Sequence, residues 1–373
     1  DWEKENDCKV NLTVIPWDKY EETYTTALNS GEGPDVGYMY NEMFPTYIDA
    51  GAVEDMSSYV TDEDKKEYKY LSNGNMMDGQ YGWPLVTGVP FVLYYNEDIL
   101  NALGEKAPET WDDFARICQE ATKDTDGDGK VDQYGFACGM NTSDIGAMQI
   151  LNAYYYSALW QNGGQVYNDD LKSVSFADEA GKEAVTWLKG LTSYMNEDFM
   201  SLSWSDAFSN VFGAGKAAFG ITRSSQTDGT TFAETYPDLN WNFVTSLKHK
   251  DFGTFGATDC LTLMSACEDK DLAMDFIKYV TGSEFMTAYH AKCPGAALAE
   301  SEPYVGDEKM EKIYTEDKDK WHGIQAGPCG TQILNQLAAD FQGIMSGETS
   351  VDEGLKEAED YANGLLDEYW ANK

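Results

Sequence analysis

The chain has 373 residues, 42% of them hydrophobic, and its 65 acidic against 26 basic side chains give a formal net charge of −39. That length exceeds one ordinary core and points to two or three domains. The charge excludes the Lys and Arg clusters that nucleic acid or an anionic lipid surface requires, leaving a neutral or cationic partner, and no apolar run reaches the ~18 residues of a membrane span.

Cys8, Cys118, Cys138, Cys260, Cys267, Cys293 and Cys329 show neither a C-x-x-C nor a zinc spacing, and their odd number leaves at least one unpaired. Val10, Leu12 and Val14 alternate with polar residues and predict a half-buried strand over 10–15. Residues 18–30 predict a helix with Tyr20, Tyr24, Ala27 and Leu28 on one face. Gly-Glu-Gly-Pro-Asp at 31–35 breaks it, and Val36 to Tyr40 returns as a strand, the βαβ order of a parallel sheet. Pro84 and Pro90 favour extended backbone before them, Val89 to Tyr95 suits a strand buried on both faces, and Asn96 caps a helix near Ile99. Thr110 and Asp113 form a capping box for a helix whose apolar face is Trp111, Phe114, Ala115, Cys118 and Ala121. Helices follow over 145–160, closed by Asn162-Gly163-Gly164, and over 179–195, with a short strand at 165–167 between them. Phe208 to Ile221 leads through Gly213 and Gly215 into a strand, without the Lys-Ser/Thr ending of a phosphate loop. Strands over 241–247 and 260–264, a helix over 270–280 and two closing helices complete the chain; Gly347 stops the first of these and Ser350 with Glu353 caps the second.

Six stretches carry a resemblance: Gly-Pro-Asp-Val at 33–36, Gly-Trp-Pro at 82–84 running on to Tyr-Asn-Glu-Asp at 95–98, Thr-Trp-Asp-Asp-Phe at 110–114, Asp-Gly-Asp-Gly at 126–129, Gly-Lys-Ala-Ala at 215–218 and the Ala-Met-Asp-Phe-Ile helix at 273–277. In this order they resemble the solute-binding proteins of ABC-type carbohydrate importers, the maltose-binding-protein-like cluster. The resemblance implies an α/β, two-lobed periplasmic-binding-protein-like fold, each lobe a mostly parallel sheet flanked by helices, with a ligand cleft at the hinge. Lobe one is expected to hold 1–86 and 254–298, lobe two 87–253 and 299–373, with crossings near Val89, near the Phe-Gly-Thr-Phe-Gly at 252–256 and after Cys293-Pro294-Gly295. It further implies a monomer outside a bacterial cell, lipid-anchored through a cysteine upstream of this sequence, whose partners are a carbohydrate and the permease subunits that receive it by hinge closure. A first strand and helix precede the segment like Trp2 to Glu5 in that family. The alternatives are the same fold holding a polyamine or peptide, or a secreted carbohydrate-active enzyme. Against the enzyme, His249, His290 and His322 stand apart and no nucleophile elbow, H-E-x-x-H or P-loop occurs.

A pyranose offers an apolar C–H face and a rim of hydroxyls, which an aromatic ring and carboxylates or amides hold. Tyr40, Glu42, Trp83 and Asp259 are the candidates from the first lobe; Tyr155, Trp160, Trp204, Arg223 and Trp321 come from the second. Aromatics at element ends also close cores, and Arg223 has many acidic neighbours to pair with. The one motif with metal spacing is the loop of Asp124, Asp126 and Asp128, with the Lys130 carbonyl and Asp132 at the following positions. It is a calcium cage lacking its bidentate glutamate, since Gly135 stands there. No cofactor is required; the resemblance leaves the loop either a structural calcium site or a bare hairpin.

Overall fold

Two sheets grow from β-branched and aromatic runs. Their strands are β1 (Val36–Tyr40), β2 (Trp83–Thr87), β3 (Phe91–Asn96), β4 (Tyr134–Ala137), β5 (Ala217–Arg223), β6 (Trp241–Val244) and β7 (Thr258–Leu263). The longer helices are α1 (Tyr20–Ser30), α2 (Glu97–Leu103), α3 (Trp111–Ala121), α4 (Glu179–Gly190), α5 (Lys270–Thr281), α6 (Gly330–Ser346) and α7 (Val351–Ala371). The computed structural model describes residues 2–31, 33–77, 79–142, 148–228 and 230–373. The chain divides into two units, Asp1–Thr87 with Thr258–Gly306, and Gly88–Ala257 with Asp307–Lys373.

In the first unit the sheet order is β1-β7-β2, with β7 antiparallel to both neighbours. In the second it is β4-β5-β3-β6, where only β4 and β5 run parallel. The expected mostly parallel sheets are therefore corrected. The central strand of the first sheet, β7, enters from the other unit, so a local βαβ crossover does not set its direction. The strand expected at 10–15 is likewise absent: the segment pairs with no strand among the described residues, and Leu12 and Val14 are 84% and 82% exposed. At 165–167 a single bridge, Tyr167 to Val174, replaces the expected strand.

β1 is an edge strand whose outward backbone is met by α1. Tyr38 N–H donates to the Tyr24 hydroxyl at 2.8 Å, and the Tyr20 hydroxyl donates to Tyr38 C=O. Beneath the first sheet, Trp83, Met56, Leu261 and Leu263 pack with Ala273, Met274, Ile277 and Val280 of α5. In the second unit the capping box of Thr110 and Asp113 starts α3, which buries Trp111, Phe114, Ile117, Cys118 and Ala121 against the second sheet and its helices. The helix expected over 145–160 begins partly outside the described residues; it is seen from Met148, widens into a π turn over Leu151–Tyr155 and ends at Gln161.

The division between units departs from the sequence reading by a few residues. Residues 254–257 stay with the second unit because Thr254–Phe255 pairs with Trp321–His322 and Thr254 Oγ1 donates to Phe91 C=O at 2.5 Å. Residues 299–306 stay with the first because Glu300 N–H donates to Glu67 C=O at 2.8 Å and Glu302 binds His290.

Candidate functional site

At the carboxyl end of β1 the first unit gathers aromatics and carboxylates. Tyr40 pairs across the sheet with Asp259 at the start of β7, and the chain turns immediately into Asn41 and Glu42. The Tyr38 hydroxyl donates to Asp259 and the Tyr40 hydroxyl to Glu21. Burial and the Asp259 carboxylate hold the Tyr38 phenol far above its ordinary range, so it remains a donor. Burial pushes the Glu42 carboxyl up to about 7, with the Asp259 charge adding to the rise and the Glu42 backbone N–H opposing it. Trp17 stands over this group, 6.2 Å from the rings of both Tyr38 and Tyr40 and 59% exposed.

Trp17 and Tyr38 are the members that sequence reasoning missed. The usable signal was position: Trp17 follows Pro16 between an extended run and a helix start, the kind of element end for which Tyr40 was chosen. Trp83, the leading candidate, is corrected. β2 pairs Trp83 with Leu261, which turns the indole into the core at 0% exposure, edge-on to Tyr68 at 5.0 Å. Tyr40, Glu42 and Asp259 are brought together.

In the second unit Arg223 ends β5 opposite Phe91, the first residue of β3. Its guanidinium lies 5.3 Å from the Trp204 ring and 5.6 Å from the Phe91 ring, and Nη2 donates to Gln149 Oε1 at 2.9 Å. Two aromatic contacts and an amide fix the fork, a donor array suited to oxygen acceptors. Trp204 is itself buried; it supports Arg223 and offers no open face. Trp160, half-buried, stacks on Tyr156 at 5.4 Å and meets His322 edge-on at 5.1 Å, a second cluster of the same unit.

Two candidates of this unit are corrected to core. Tyr155 is 0% exposed, with its hydroxyl donating to Phe176 C=O and its ring against Phe341. Trp321 donates Nε1–H to Ile313 C=O at 3.0 Å and lies so close over Gly256 that a Cβ there would stand 2.6 Å from the indole. Gly253 admits the Trp160 Cβ in the same way, which is why this segment carries glycines. A partly open pocket lined mainly by apolar side chains, among them Phe91, Phe114, Phe136, Tyr154 and Trp187, has a volume of about 50 Å³, too small for a sugar ring.

The Asp-rich loop brings Asp124, Asp126 and Asp128 within 4.8 Å of one another, all exposed. Backbone N–H groups of Gly129 and Gly127 donate to Asp124 and hold its carboxyl below the usual range. Lys130 N–H donates to Asp128 at 2.8 Å. Asp132 accepts from Thr125 N and Oγ1 at 2.8 and 2.7 Å and is not one of the three clustered carboxylates. The three clustered carboxylates fit a hard cation, but only as part of a cage.

The family of bacterial extracellular solute-binding proteins matches residues 1–299. The chain belongs to that family. Among relatives of this solute-binding protein, one from Brucella abortus (strain 2308), named only as a binding protein, is 25% identical over 286 residues, 73% of this chain and 64% of that one. The match thus spans under two thirds of that relative. The sugar-binding protein of Xanthomonas citri has the same fold, with a TM-score of 0.78 at 18% identity over 99% of this chain and 93% of that one. So has the cyclic alpha-maltosyl-1,6-maltose binding protein of Arthrobacter globiformis, with a TM-score of 0.77 at 17% identity over 98% and 94%. The α/β fold of ABC-transporter binding proteins is thereby that of this solute-binding protein, and no described helix is long and apolar enough to cross a membrane.

Proposed function

We propose that this solute-binding protein holds a saccharide outside the bacterial cell and passes it to the permease of an ABC importer without altering it. The observation that carries the reading is the exposed Trp17 ring, edge-on to Tyr38 and tilted against Tyr40, with the Glu42 and Asp259 carboxylates in the same group: an apolar platform for C–H groups with acceptors for hydroxyls. Within the second unit, Arg223 is held between Phe91 and Trp204 with its guanidinium donors as the chemistry suited to oxygen acceptors. Hinge closure is the act that a permease recognises. Sugar binding by structural neighbours supports it, as does the absence of any catalytic signature in the sequence. A lipid anchor, a monomeric state and a weak structural calcium in the Asp124 loop belong to the same proposal.

The test is a thermal-shift screen over mono- and oligosaccharides followed by calorimetry and product analysis. A binder gains about 2.7 kcal/mol at a ligand concentration a hundredfold above Kd. A sugar that raises the melting temperature and is recovered intact supports the reading. Cleaved product, or stabilisation by no saccharide, overturns it.

A further inference from the structure

The ligand face of the first unit is built from acceptors. Glu42 is nine-tenths buried and forms no ion pair among the described residues. The adjacent Asn41, equally buried, has a side-chain oxygen that meets no donor among them. Glu21 and Asp259 add two further carboxylates, each receiving a tyrosine hydroxyl. Lys19, on the same turn as Trp17, pairs with Glu22 at 3.3 Å.

A carboxylate buried beside another carries a cost that a hydroxyl donor offsets only in part, because a hydroxyl brings no charge. An ammonium brings three donors together with the missing positive charge. Trp17, 59% exposed, supplies a ring of the kind a cation prefers, with Tyr38 and Tyr40 each 6.2 Å from it.

We propose that the ligand carries a primary ammonium group and that Glu42, with Asp259 beside it, receives that group. Resting on the saccharide reading above, this names an amino saccharide. The same ammonium chemistry is offered by a polyamine, so the experiment separates the two sources.

Calorimetry on the full chain uses three probes: the disaccharide of glucosamine, its di-N-acetylated form, and spermidine. The free-amine disaccharide is expected to bind at least about tenfold more tightly than the acetylated one, the scale of one charge-assisted hydrogen bond. Glu42→Gln is expected to erase that preference, and Glu42→Asp, which keeps the charge, to retain part of it. Equal or tighter binding of the acetylated form overturns the ammonium assignment and leaves the saccharide reading standing. A preference that survives Glu42→Gln overturns Glu42 as receiver, with Asp259→Asn as the second variant should the first fail to fold. Binding of spermidine alone sustains the ammonium and overturns the saccharide. Binding of none of the three overturns the proposal.

Discussion

His290 Nδ1 lies 2.5 Å from Glu302 Oε1, with both side chains nearly out of contact with solvent. The second Glu302 oxygen accepts Leu298 N–H at 2.7 Å and, more weakly, Ala299 N–H. One carboxylate therefore ties the stretch leading to the Gly306 boundary back to the helix that ends in His290. Glu302→Ala strands these donors in the interior and should cost about 3–5 kcal/mol, the scale for breaking a buried pair. Urea unfolding measures the loss, and hydrogen exchange should show the Leu298 and Ala299 amides opening first. A loss under about 1 kcal/mol would mean that water replaces the carboxylate.

Trp83 and Trp17 should behave in opposite ways. Trp83→Ala removes a fully buried indole and should cost about 3–5 kcal/mol in stability, while saccharide affinity stays within about threefold. Trp17→Ala removes an exposed ring and should leave stability within about 1 kcal/mol, yet weaken saccharide binding about ten- to a hundredfold. Melting curves and calorimetry on the two variants decide between platform and core.

Glu42 predicts a pH dependence with an unusual sign. Its folded-state pKa, raised from 4.5 to about 7 by burial first and the Asp259 charge second, means that the folded protein holds a proton which the unfolded chain has released. The neutral carboxyl costs nothing below pH 4.5, and stability falls as pH rises through about 7. The full effect is on the order of 3 kcal/mol. Glu42→Gln should therefore be more stable than the parent above pH 7 and equal to it near pH 4.5, as read from denaturant midpoints.

Calcium should raise the melting temperature, and chelator should lower it, if the Asp124, Asp126 and Asp128 cluster binds the ion. Asp126→Ala should abolish the shift; Asp132→Ala should not, since Asp132 is held by Thr125. Saccharide affinity should be indifferent to chelator, and an equal loss of both would place the loop in the ligand site.

Features governed by neighbours in sequence were legible before the structure. Thr110 and Asp113 cap each other, Asn96 caps α2, and Ser350 accepts Glu353 N–H, because each bond closes within three residues. Strand direction was not legible, because β7 meets β1 only after the chain has passed through the other unit. Nor was the depth of an aromatic. Trp83 between Gly82 and Pro84 was chosen as a ligand contact, yet a strand partner more than 170 positions away decides that its ring faces the core. The carboxylates Glu42 and Asp259 were chosen for their hydroxyl chemistry; that the turn carrying Glu42 begins directly beside Asp259 follows from the Tyr40 to Asp259 pairing, which spacing does not disclose.

The phenols of Tyr20 and Tyr24 bear on the behaviour of many copies together. A bare strand edge is a template on which another chain can add, the first step of edge-to-edge aggregation. In β1 the middle residue of five, Tyr38, already has both outward backbone groups engaged by side chains of its own protein. An incoming strand must displace two hydroxyls before it gains its first pair of ladder bonds, and must also approach a molecule carrying a net charge of −39. Among the described residues the two tyrosines thus occupy by side chain the backbone groups of Tyr38 that an added strand would otherwise pair.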